Sequence, residues 1–154
     1  KAYQQQTTTY LDLMKVLLDK VDGLVEGCLM ERIADEAIDL DHFVEGFRIV
    51  GNEVRDARFG IVLNDASRNL VEYNRVDGGE IGIYAWWYDR VIADGVNEEN
   101  VIRHNLVQGT RLAPIHTKQT CVRFTIQHNF VEGEIVVEEA DNLVGPNTRL
   151  DAPR

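Results

Sequence analysis

Short alternating apolar segments recur along the chain, separated by clusters of Gly, Asp, Asn and Arg. AIDLDH from Ala37, GIVLND from Gly60, GIYAWW from Gly82, APIHTK from Ala113 and EIVVEE from Glu134 have the length and alternation of β-strands, and the polar clusters between them read as turns. A second pattern interleaves with these. FRIVGNEV, LVEYNRV, NVIRHNLV, FTIQHNFV and LVGPNTR each carry an aliphatic residue three positions before an asparagine: Ile49, Val71, Ile102, Ile126 and Val144. The first four also carry a valine two positions after it: Val54, Val76, Val107 and Val131. LVEGCLM fits the same template with Cys28 in the asparagine column, Val25 before it and Met30 after it. The column therefore runs Cys28, Asn52, Asn74, Asn105, Asn129, Asn147, with gaps of 24, 22, 31, 24 and 18 residues.

A period of 22–24 residues is too short for two antiparallel helices and a turn, but suits one coil of three short strands and three bends. A single coil cannot bury its own inward face. Stacked coils can, because equivalent strands pair in parallel and aliphatic side chains form rows. An asparagine at the same bend of every coil can bond its neighbours above and below, satisfying its own amide and the backbone of the bend. The rows are Ile and Val rather than the fixed leucines of leucine-rich repeats.

With its Asn52, Asn74, Asn105, Asn129 column and its GIVLND and GIYAWW strands, the chain resembles the right-handed parallel β-helix proteins of the pectate-lyase-like and NosD-like superfamily. The resemblance implies an all-β fold, a single-stranded right-handed parallel β-helix of about five to six coils over residues 21–148. Residues 1–20 read as a lead-in and an N-terminal α-helical cap. Thr9 and Asp12 make a capping-box-like start, and Leu11, Met14, Leu17, Leu18 and Val21 form one apolar stripe that would plug the open end of the stack. Residues 149–154 read as a terminating tail. With no second cap at that end and with Lys1 first, the pattern expects either a larger chain that continues the stack or a homo-oligomer.

In such proteins, the resemblance implies, ligands lie across the exposed face of one parallel sheet. If Ile38/Leu40, Ile61/Leu63 and Ile83/Ala85 point inward, then Asp39/Asp41, Val62/Asn64 and Tyr84/Trp86 point outward. Unbroken alternation in the next coil puts Ile115 and Thr117 outward and Pro114 and His116 inward. A phase shift at Pro114 would instead bring His116 to the surface beside Lys118. The longest insertion follows the third strand, from Trp87-Tyr88-Asp89-Arg90 through to Gly95, and accounts for the 31-residue gap.

Aromatic faces stack on the apolar faces of sugar rings while amides and carboxylates bind the hydroxyls. Tyr84, Trp86, Trp87, Tyr88, Asn64, Asp89 and Arg90 are the expected binding residues for a polysaccharide or oligosaccharide. Asp39, Asp41, Asp65, His116 and Lys118 are the catalytic candidates for a lyase, epimerase or hydrolase. The resemblance carries over no catalytic assignment, because the superfamily's NTD…DD…GHG…RIK set, its arginine cluster and its DPHE motif are all absent. Stacked acids also offer oxygen ligands to Ca²⁺, the one cofactor the pattern admits. Tyr73, His104 and His128 each precede an asparagine, which aligns them on adjacent coils. Glu132, Glu134, Glu138 and Glu139 read as a solvated face.

The composition narrows the partner. Of 154 residues 16 are Lys or Arg and 26 are Asp or Glu, a formal charge of −10. Nothing neutralises phosphates, which disfavours nucleic acid and anionic membrane surfaces, and unaided capture of polyanions is uphill. Apolar runs fall far short of a membrane span. Cys28 and Cys121 stand apart, form no zinc motif, and leave the redox compartment open. The functional expectation is a carbohydrate-related module at an extracellular, cell-surface or periplasmic location. The alternatives are a non-catalytic assembly module of a surface or phage-type fibre, or an inactive repeat domain of a larger protein.

Overall fold

A computed structural model describes residues 22–86 and 97–151. These residues are all-β, with no helix among them, and every strand pair is parallel. The expected helical cap, and Trp87, Tyr88, Asp89 and Arg90, lie outside the described residues.

The chain returns to the same sheets turn after turn. One six-stranded sheet runs in the order Leu24–Glu26, Arg48–Val50, Leu70–Glu72, Val101–Arg103, Thr125–Gln127, Leu143–Val144. Its register pairs Leu24 with Arg48, Arg48 with Leu70, Leu70 with Val101, Val101 with Thr125 and Thr125 with Leu143, which reproduces the spacing of the asparagine column. A nine-stranded sheet has two flanks. In the first, Leu29–Asp41 and Glu53–Asn64 begin a ladder continued by Arg75–Asp77, Leu106–Gln108, Phe130–Glu132 and Thr148–Leu150. In the second, the far ends of the same two strands pair on through Ile81–Trp86, Ala113–Thr117 and Val136–Val137.

Two expectations on coil anatomy are corrected. The first two coils do not break into three short strands, because Leu29–Asp41 and Glu53–Asn64 each run through a bend, turning on one left-handed residue, Arg32 (φ 56°) or Asp56 (φ 53°). Arg149 and Leu150, expected in a tail, are strand residues paired with Val131 and Glu132.

The aliphatic rows lie inside. Ile49, Val71, Ile102 and Ile126 form one row, Val54, Val76, Val107 and Val131 a second, and Ile61, Leu63, Ile83, Ala85 and Ile115 belong to the third wall of the same core. Asparagines hold the bends between rows. The backbone N–H of Cys28, Asn52, Asn74, Asn105 and Asn129 donates to the side-chain Oδ1 of Asn52, Asn74, Asn105, Asn129 and Asn147 respectively, at 2.9–3.0 Å. Each Nδ2 of Asn74, Asn105, Asn129 and Asn147 donates to the carbonyl two residues earlier and to a strand carbonyl of the preceding coil. The residue before the column is left-handed in five coils: Gly27 before Cys28, and Gly51, Tyr73, His104 and His128 before their asparagines.

A second column stands five residues before the first. The N–H of Phe47 donates to Asn69 Oδ1, that of Asn69 to Asn100 Oδ1, and that of Phe124 to Asn142 Oδ1, at 2.8–2.9 Å. Left-handed Gly46, Arg68, Glu99 and Arg123 precede it. Much of the acidic charge is spent in pairs between coils: Arg55 with Glu31, Arg103 with Glu72, Arg68 with Glu45 and Glu98, and Arg123 with Glu98.

Candidate functional site

The second flank of the nine-stranded sheet carries the expected site face. Register aligns Asp39, Val62, Tyr84, His116 and Val136 in one outward column, and Asp41, Asn64 and Trp86 in the next. Ile115 and Thr117 are fully buried and His116 faces outward, so the unbroken alternation is corrected and the shifted phase holds. The cause is a pair of successive inward positions. A Cβ at Gly60 would meet Val76 Cγ1 at 2.6 Å and one at Gly82 would meet Val107 Cγ1 at 2.2 Å, so both glycines face the core just before inward Ile61 and Ile83. Pro114 occupies the same place before Ile115.

The outward face is less open than alternation implies. Val62, Ile81 and Tyr84 are buried there, with Phe59 and Trp86 packed against them as a second apolar cluster. The Tyr84 and Trp86 rings stack at 5.5 Å and 12°, and Phe59 and His116 lie against Tyr84 at 5.4 and 5.5 Å. Tyr84 is thus the support and half-buried Trp86 the accessible ring. Asn64 is also buried, and its Nδ2 donates to Asp41 Oδ1 at 2.7 Å.

Around these rings stand polar groups. His116 Nε2 lies 2.8 Å from Glu138 Oε1, and the imidazole holds the Glu138 carboxyl below its usual range. Glu138, expected on a solvated face, therefore belongs to the site. Its signal is the pairing of Val136 with His116, which brings Glu138 one step on, beside Lys118. Burial raises the Tyr84 hydroxyl, an effect partly offset by the nearby Lys118 ammonium. An imidazole oriented by a carboxylate can hold and move a proton, as can a phenol beside an ammonium.

The acids gather at the edge of this face, toward the first coils. Burial, then Asp41 and Glu36, push the Asp39 carboxyl up to about 6. Asp65 is buried at the bend, with His42 Nδ1 3.7 Å from its Oδ2 and His42 Nε2 3.5 Å from Asp41 Oδ1. His42 was not among the sequence candidates. It ends AIDLDH, where alternation gives no indication that the left-handed turn at His42 and Phe43 folds the ring back toward Asp65. Among the described residues no three His, Cys, Asp or Glu side chains gather as a metal site. The structure thus joins Asp39, Asp41, Asn64, Tyr84, Trp86, His116 and Lys118 on one face and leaves Asp65 beneath its edge. No protein-family model matches the chain, and neither the curated proteins nor the solved structures contain a match.

Proposed function

We propose that the chain is a right-handed parallel β-helix whose Trp86 face binds a polysaccharide or oligosaccharide. The observation that carries this reading is the Trp86 ring, braced by Tyr84 at 5.5 Å and bordered by the Asp41–Asn64 pair on one side and by His116, Lys118 and Glu138 on the other. A sugar stacks its apolar face on such a ring and trades its hydroxyl bonds with water for bonds to amide, carboxylate and ammonium groups. Net charge favours neutral glycans, and a glycan ligand goes with an extracellular, cell-surface or periplasmic setting. If a bond in the glycan is broken, His116 held by Glu138 is the group placed to move the proton. Retention on immobilised neutral polysaccharides tests the reading. Trp86→Ala should abolish retention with the melting temperature within a few degrees of the parent, and Trp86→Phe should restore part of it. Equal retention by Trp86→Ala would remove this face from the account.

The assembly reading keeps one observation in its favour. Val144, in the last strand of the six-stranded sheet, is 47% exposed although its equivalents Ile126 and Ile102 are fully buried, and Leu143 beside it is 62% exposed. A defined oligomer in sedimentation, lost on Leu143→Lys, would support it, and a monomer that retains glycan would count against it.

A further inference from the structure

A second ring platform stands at the bend of the asparagine column, away from the Trp86 face. Tyr73, His104 and His128 occupy the same position in three successive coils. Their rings stack in parallel, at 5.2 Å and 7° and then at 5.4 Å and 8°. All three hold φ of 55–57°, a conformation that strains a side-chain-bearing residue and that glycine adopts freely. The two preceding coils have glycine there, Gly51 and Gly27, with φ of 64° and 63°. The bend itself therefore requires no ring, and the three rings are set there against the backbone preference.

The stack ends abruptly. One face of Tyr73 is covered by His104. The other is turned toward the coil of Gly51, and the residue is 60% exposed. A Cβ built on Gly51 or on Gly27 meets nothing within 4 Å. Coils are about 4.8 Å apart, so a ring over Gly51 would lie on bare backbone against an aromatic face, with the equally bare position of Gly27 beyond it. Charged residues flank the two glycines in the chain: Glu53, two residues after Gly51, is paired with Arg55 at 2.7 Å and with Arg75 at 3.6 Å, and Glu26 directly precedes Gly27. An aromatic guest would use the ring face and leave these polar groups unused. A ring with one apolar face and a rim of hydroxyls uses both.

We propose that the open face of Tyr73 over Gly51 is a second carbohydrate site, which takes a single neutral pyranose ring. It shares the ligand class of the reading above but none of its residues.

The test is a two-dimensional amide titration of the intact chain with cellohexaose and with maltohexaose, with indole and trigalacturonate as controls. One or both neutral hexasaccharides should move the Gly51, Gly27 and Tyr73 signals saturably. Tyr73→Gly and Gly51→Tyr should each weaken that response at least tenfold. The first restores the residue the bend prefers, so it folds, and the second fills the vacant place with a ring already tolerated one coil on. Trp86→Ala should leave the response unchanged while abolishing changes on its own face, which separates the two sites. Absence of a saturable response at Gly51 and Tyr73 with both hexasaccharides, or a response that survives in Gly51→Tyr, would overturn the site. A response to indole alone, or an equal response to trigalacturonate, would overturn the ligand class.

Discussion

Truncating Asn105 removes the central bracket of the coil stack, and the cost can be worked from its bonds. The side chain is fully buried. Its Oδ1 is the acceptor for the backbone N–H of Asn74 and also for Asn74 Nδ2, both at 3.0 Å. Its Nδ2 donates to Val71 O, Arg103 O and Asn129 Oδ1, all at 3.0 Å. In Asn105→Ala the Asn74 N–H is left buried without an acceptor, a loss of about 1–3 kcal/mol. The weakened satisfaction of Val71 O and Arg103 O adds about 0.5–1.5 kcal/mol each. The expected total is about 2–6 kcal/mol. Asn147→Ala makes the same chemical change in the last coil, where Asn147 is half-exposed and water can replace the lost bonds, so it should cost about 1–2 kcal/mol. Urea unfolding followed by circular dichroism measures both. A loss below about 1 kcal/mol for Asn105→Ala, or equal losses for the two variants, would refute the bracket.

Three further outcomes follow from the packing and the charges. Gly82→Ala forces a Cβ to 2.2 Å from Val107 Cγ1 and 2.7 Å from Pro114 O and should lower stability by about 1–3 kcal/mol, whereas Gly27→Ala, with free space but positive φ, should cost about 1 kcal/mol; thermal melts of the two variants separate the effects. Because Asp39 holds its proton more tightly in the folded chain, ionising it opposes folding, and that penalty grows as pH rises from about 4 through 6. Asp39→Asn should therefore stabilise at pH 7–8, by no more than about 1 kcal/mol once solvent screening is counted, and the gain should vanish near pH 4; a gain that persists at pH 4 would reverse this argument. Burial pushes the Cys121 thiol up to about 12, while Cys28 is exposed, so a thiol reagent at neutral pH should label Cys28 alone in native protein and both after unfolding.

What the sequence revealed and what it concealed have distinct physical causes. The first asparagine column was legible because the same amide serves every coil from Asn52 to Asn147, with an aliphatic residue always three positions ahead. The second column uses asparagine in some coils and phenylalanine in others. Phe47 and Phe124 interrupt Asn69, Asn100 and Asn142, so no single residue type marks it, although it always lies five positions before the first. Inward phase was legible from Ile38 to Ala85 and failed at Pro114. Two adjacent inward positions leave no trace in alternation, and Gly60 and Gly82 hide them by having no side chain to count. The site face was found, but its openness was not. Periodicity says which way Tyr84 points, whereas its burial comes from Phe59, Val62 and Ile81 on neighbouring coils. Likewise the His116–Glu138 contact depends on a register that two residues 22 positions apart cannot declare alone.

Both ring platforms depend on a register set by the asparagines, and that register is directly measurable. Trans-hydrogen-bond scalar couplings should link the backbone nitrogens of Cys28, Asn52, Asn74, Asn105 and Asn129 to the side-chain carbonyl carbons of Asn52, Asn74, Asn105, Asn129 and Asn147, one coil on in each case. Five such correlations, with the central amides slow to exchange, are the result expected. Couplings from those nitrogens to backbone carbonyls instead, or fast exchange at Asn74 and Asn105, would contradict the stacked-coil account.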